Sequence, residues 1–142
     1  MKNDARLHIY ASHRSIFDGS EDVKKFDVPG TYSEVNGAYY VFYEEKDDET
    51  GTVFSHRLKI EPTTLTRHVK GTYSNDMLFE LGKETGTVYN TPYGTFSMRF
   101  LTKNYSVTKS ESEISVLLEY ILSLNGEPSS EVEMKIKILK KD

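Results

Sequence analysis

The segments EISVLLEYILSL (113–124) and EVEMKIKIL (131–139) decide the fold. In the first, Ile114, Val116, Leu118, Tyr120, Leu122 and Leu124 fall on one face. In the second, Val132, Met134, Ile136 and Ile138 alternate with Glu131, Glu133, Lys135 and Lys137. Successive side chains of a strand point to opposite faces, so this period of two marks half-buried antiparallel strands. Asn125-Gly126 lies between them, a pair suited to the positive φ angles of a tight hairpin turn.

The same pattern extends outward. TFSMRF (95–100) sets Phe96, Met98 and Phe100 against Thr95, Ser97 and Arg99. Turn signals recur at Asn36-Gly37, KDDETG (46–51), Glu61-Pro62, KGTYSND (70–76) and GKETG (82–86). Nine or ten strands fit between them, near 5–13, 23–33, 38–46, 51–60, 63–70, 76–81, 85–90, 94–103, 113–124 and 130–139. Thr91-Pro92-Tyr93-Gly94 fits a type I turn before strand 94–103. GSEDVKKF (19–26) offers the one helical candidate, a single turn after Ser20. So many short strands with short links predict one all-β domain over 1–142. The expected form is a closed up-and-down antiparallel barrel, because closure removes exposed edges.

Composition narrows the function. The 142 residues include no cysteine, which excludes disulfides, thiolate metal sites and a cysteine nucleophile. The start, MKNDARLHIYASH, has no apolar core of signal-peptide length, and no apolar run is long enough to span a bilayer. A cytoplasmic protein with no membrane partner is the expectation. The net charge of −4 speaks against nucleic acid as a partner. In the lysine-rich KIKILKKD, Lys135 and Lys137 alternate with Ile136 and Ile138 and suit the wet face of a strand.

Strand parity picks out the polar residues that matter. In PTTLTRHVK (62–70), Arg67 shares a face with Leu65 and Val69. In TVFSHRLKI (52–60), His56 shares a face with Phe54, Leu58 and Ile60. A guanidinium turned inward needs a partner, since an unpaired buried charge is costly. Glu45 is that partner by parity, or Glu44 if a bulge shifts the register. Arg67 then holds an anionic ligand, belongs to a structural ion pair, or sits at the barrel mouth with its head in water. The four histidines, His8, His13, His56 and His68, do not converge as a metal site requires, and the carboxylates of EEKDDET (44–50) lack calcium-loop spacing. No phosphate loop, dinucleotide fingerprint or nucleophile elbow occurs, so no metal, cofactor or catalytic residue is assigned and an enzyme is the least favoured class.

YVFYEE (40–45), LTRHVKG (65–71), DMLFELGK (76–83), YNTPYGTFSMRFLT (89–102) and LLEYILSLNG (117–126) occur in this order. Together they resemble the YwiB-like family of small bacterial proteins of unknown function, over essentially the whole chain. The Thr-Pro-Tyr-Gly segment after a tyrosine is the most specific part. The resemblance implies a calycin-like barrel, similar to lipocalins and fatty-acid-binding proteins, and implies no activity. This chain departs from those carriers, having no tryptophan, no helical pair after the first strand and no terminal Arg-x-Tyr.

The expected function is a non-enzymatic binding module for a small, partly apolar ligand at one end of the barrel. Arg67 with Glu45 or Glu44, beside His56, would anchor it, and Tyr43, Tyr89 and Tyr93 would line the mouth. The alternative is a protein-interaction or assembly module, a homodimer for example, with a barrel filled by side chains.

Overall fold

The structure, a computed structural model, describes residues 2–71, 74–91 and 93–141, with the backbone alone over 89–91. Ten strands form a single antiparallel sheet that rolls into a nearly closed barrel. They are β1 (Asn3–Ser15), β2 (Glu21–Val35), β3 (Ala38–Lys46), β4 (Val53–Ile60) and β5 (Thr64–Lys70). The chain continues through β6 (Ser74–Glu80), β7 (Glu84–Thr91), β8 (Gly94–Lys109), β9 (Glu113–Leu124) and β10 (Glu127–Lys140). The order around the wall is β6-β5-β4-β3-β2-β1-β10-β9-β8-β7. Every pair of strands adjacent in sequence is adjacent in the sheet except β6 and β7, and the first and last strands pair with each other.

The seam between β6 and β7 has no ladder among the described residues. At one end the β6–β7 link is anchored by Gly82 N–H donating to Thr102 O (2.9 Å), while Leu81 N–H donating to Thr63 O (3.1 Å) extends the β5–β6 pairing. The Thr85 hydroxyl adds a bond to Leu78 O.

Local chemistry accounts for the corners. Asn36-Gly37 (φ 51° and 83°) and Asn125-Gly126 (φ 50° and 87°) take the left-handed pair of angles that a two-residue hairpin demands. The segment 19–26 forms no helix: β2 starts at Glu21 and pairs with β1 through Arg14. A turn of eight residues had too little local gain to compete with that ladder. The type I turn expected at 91–94 involves Pro92, outside the described residues. The backbone pairs Thr91 with Gly94 across that corner.

The inward faces are those that alternation assigned. Leu65, Ile114 and Ile138 are wholly buried, and Leu118, Val132 and Ile136 nearly so. Two departures have structural causes. β8 runs on to Lys109 through a bulge between Thr102 and Asn104, so the inward parity changes from Phe100 and Thr102 to Tyr105 and Val107. An extra residue inverts every later face. Phe96, expected inside, is exposed because β7 and the start of β8 form a hairpin arm that reaches past the core.

The barrel has unlike ends. One is shut by Tyr39, Ile60, Leu65, Tyr105 and Ile114, all buried. The Tyr105 hydroxyl donates towards Glu61 O (2.7 Å) and Thr64 O (3.0 Å), locking β8 across the β4–β5 corner. The other end is open and polar. Midway, Phe79, Phe100 and Tyr120 form an aromatic layer, with centroids 4.9 Å (Phe79–Phe100), 4.7 Å (Phe79–Tyr120) and 5.7 Å (Phe100–Tyr120) apart. The barrel is thus a cup with a packed base.

Candidate functional site

The cup opens where β2 and β3 part. Their ladder ends at Gly30–Tyr43, and β2 residues 21–29 pair with β1 alone. Proline at 29 has no N–H to give to a neighbouring strand, so it cannot donate to a further rung of the ladder. Gly30 permits the close crossing: a Cβ there would lie 2.4 Å from Leu7 Cδ1 and 2.6 Å from Phe42 O. Beyond this point β3 and β4 lean away from β2. The gap is a cleft of about 880 Å3, with Lys24 of β2 on one side and Glu45 of β3 on the other. That volume lies in the range usual for small-molecule sites.

Adjacent strands supply the polar centre in register. Tyr43 of β3 is paired with His56 of β4, and their rings stack at 4.5 Å, 2° from parallel. His56, only 3% exposed, is held at both ring nitrogens. Arg67 Nη2 donates to Nδ1 (3.0 Å), and Nε2 bonds Glu45 Oε1 (3.1 Å). A guanidinium can only donate and a carboxylate can only accept, so Nδ1 carries the lone pair and Nε2 the proton. His56 therefore sits neutral between a cation and an anion. Burial pushes its pKa below the ordinary 6.5, the neighbouring Arg67 charge does the same, and the Glu45 bond opposes both. The Glu45 carboxyl is lowered chiefly by its bond to His56. Burial raises the Tyr43 phenol, and it pushes Tyr120 beneath the cleft up to about 12.

Arg67 was expected to meet Glu45 directly; the two are instead joined through His56, which lies on the strand between them. Glu44 points to the outer face and is exposed, since β3 has no bulge to bring it inward. Tyr43 lies under the mouth as the stacking partner of His56. Tyr93 does not line the mouth: it is 95% exposed at the tip of the β7–β8 arm, which projects beyond the rim. The side chain of Tyr89 lies outside the described residues.

Other residues complete the cleft that sequence reasoning passed over. Asn75 of β6, 7% exposed, stands diagonally from Arg67 on the inner face, one ladder step beyond the Arg67–Met77 pair. Lys24 stands across from it, and Phe54, Met77 and Met98 supply apolar wall. His13 shares the inner face of β1 with Ile9 and Ala11; burial lowers its pKa, helped by the charge of Lys24. The alternation Leu7-Ile9-Ala11-His13 was the available signal for it.

Among the described residues, two buried polar atoms of the cleft lack a hydrogen-bond partner: Arg67 Nε, a donor, and Asn75 Oδ1, an acceptor. Such atoms are rare in folded proteins and usually mark a place where another group belongs. A second cleft, about 830 Å3, crosses the outer face of β2, β1 and β10. There the Lys25 and Lys135 ammonium groups lie over the Tyr10 ring, 5.7 and 5.6 Å from its centroid. No buried, unsatisfied atom points into that groove, so the mouth is the candidate site. Among the described residues, no cluster of three or more His, Asp or Glu is placed to hold a metal ion. No helix is long and apolar enough to cross a membrane.

Against this geometry stand the likenesses to other proteins. Residues 9–136 match the family described as a domain of unknown function, DUF1934. The fold matches a crystal structure of the ywiB protein from Bacillus subtilis with a TM-score of 0.84 and 19% sequence identity, over 99% of this chain and 94% of that chain. At that identity the likeness speaks to the fold alone. No curated protein matches the chain.

Proposed function

The chain belongs to the DUF1934 family, and for it we propose a non-catalytic binding role, with a small, partly apolar ligand held in the open end of the barrel. The observation that carries this reading is the pair of unsatisfied atoms, Arg67 Nε and Asn75 Oδ1, in a cleft whose wall also carries Phe54, Met77 and Met98. Binding sites of this kind are mostly apolar, with a few placed polar groups that fix orientation. His56 and Glu45 serve as positioning residues, because together they hold the Arg67 fork at Nη2 while Nε stays buried without a partner. Histidine is kept neutral and fully engaged, which suits a brace better than a proton carrier.

Native mass spectrometry of freshly isolated protein tests the role. A bound mass is expected with the wild-type chain and is expected to be lost in Arg67→Met, while both fold to the same barrel by circular dichroism. A wild-type chain with no bound mass, together with an unfolded Arg67→Met, would make the Arg67–His56–Glu45 chain a structural network instead.

A second reading rests on the rim. Phe17 (74%), Ile16 (45%), Val53 (45%) and Phe96 (38%) are exposed apolar side chains around the open end. Such a collar suits contact with another protein, including a second copy. Sedimentation over a range of concentrations separates the readings, since a collar interface predicts a dimer that Phe17→Ser dissolves.

A further inference from the structure

The cleft is charged unevenly along its depth, and its unsatisfied atoms are of two kinds. Deep inside, Arg67 Nε needs an acceptor and Asn75 Oδ1 needs a donor. The two residues are diagonal neighbours on adjacent strands, a separation that one small head group can bridge. A simple carboxylate would satisfy Arg67 and leave Asn75 wanting. A carboxylate with an N–H on the neighbouring carbon satisfies both, and that is the carboxyl end of a peptide. Arginine is suited to such a head, because its planar fork matches a carboxylate.

At the outer lip the sign reverses. The β3–β4 turn brings Asp47, Asp48 and Glu49 to the cleft, against Lys46. The Asp47 carboxylate is occupied by its own turn, where it accepts from Glu49 N–H at 2.9 Å. Asp48 and Glu49 are exposed and turned to water. Phe54, Met77 and Met98 supply the apolar wall of the same cleft, with Met77 at the ladder level of Arg67. We infer that the mouth takes the carboxyl end of a short peptide, with an apolar last residue against the Met77–Met98 wall and a basic side chain laid on the Asp48–Glu49 lip. This assignment rests on the binding role proposed above and names its ligand class.

Four probes test it by calorimetry on the full chain at low ionic strength: N-acetyl-Lys-Leu, its C-terminal amide, N-acetyl-norleucyl-Leu and octanoate. The free acid is expected to bind tightest. The amide, which removes the anionic head, is expected to be weaker by about tenfold or more. The norleucine analogue, which removes only the cation, is expected to be weaker by roughly three- to tenfold, with the difference shrinking as salt is raised. In the double variant Asp48→Asn/Glu49→Gln the lysine-to-norleucine ratio is expected to fall to about one, as loss of the lip charge predicts. An amide that binds as well as the acid overturns the head assignment, and a norleucine analogue that binds as well as the lysine peptide overturns the lip. Octanoate separates the two levels of the reading. If it binds in an Arg67-dependent way while no peptide does, the peptide class falls and the mouth stands as a site; if none of the four binds, both fall.

Discussion

The two ends of this barrel are made of the same strands and solve opposite problems. At the shut end, Ile60, Leu65, Ile114 and Ile138 are fully buried, and the Tyr105 hydroxyl faces two backbone carbonyls. At the open end, charged and polar groups line the wall, and Arg67 Nε and Asn75 Oδ1 remain without partners. Folding free energy comes mainly from burial, so stability should be concentrated at the shut end. The open end forgoes stability there, because a buried polar atom without a partner is costly.

That division can be broken by mutation, and the largest effect should come from the shut end. Leu65→Ala removes a side chain with no exposure and is expected to destabilise the chain by about 2–5 kcal/mol in urea titrations, because the rigid wall cannot collapse onto the void. Tyr105→Phe keeps the ring but leaves Glu61 O and Thr64 O without that donor, at an expected cost of about 1–3 kcal/mol. Arg67→Met at the open end should change stability by less than about 1 kcal/mol in either direction, since the desolvation of a half-buried charge offsets what its contact supplies. A loss as large as that of Leu65→Ala would show that the two ends are not divided as described.

The smallest effect concerns acid. His56 has a folded pKa below its ordinary 6.5, so the unfolded chain takes up the proton more readily. The stability this neutral histidine contributes is complete above 6.5 and is lost as the pH falls from there towards the folded value. Glu45, also lowered, adds a further loss at pH values below its ordinary 4.5. Thermal unfolding followed from pH 7.5 down to about pH 5 should show an early decline that His56→Gln flattens. In an NMR titration, the His56 midpoint should fall below 6.5. A His56 that charges above that pH would contradict the bonding order Arg67–His56–Glu45.

Much of the fold was legible because alternation is a local signal. The faces of 113–124 and 131–139 could be assigned residue by residue, and the Asn-Gly pairs at 36–37 and 125–126 marked their turns. The same parity placed Arg67 and His56 on the inner wall and favoured Glu45 over Glu44. What stayed hidden depends on distant pairings. The bulge after Thr102 carries no glycine or proline, so nothing announced the change of parity that buries Tyr105. Asn75 looked like part of a turn because KGTYSND is rich in turn formers, yet β6 begins at Ser74. Lys24 reaches the cleft only because β2 and β3 separate, a fact of the whole wall and not of either strand. Tyr93 looked like a pocket residue from its type, whereas its place at a hairpin tip turns it outward.

The parting of β2 from β3 at Pro29–Gly30 also bears on how the chain keeps to itself. It leaves the β3-facing edge of residues 21–28 without a ladder. A bare edge is a template on which a stray strand from another molecule can add. This one carries Glu21, Asp22, Lys24, Lys25 and Asp27 in sequence, and proline ends it. An incoming strand would have to set its own side chains against that run of charge and would find no amide at position 29. The feature that opens the cup is thereby guarded against the self-association that open edges invite.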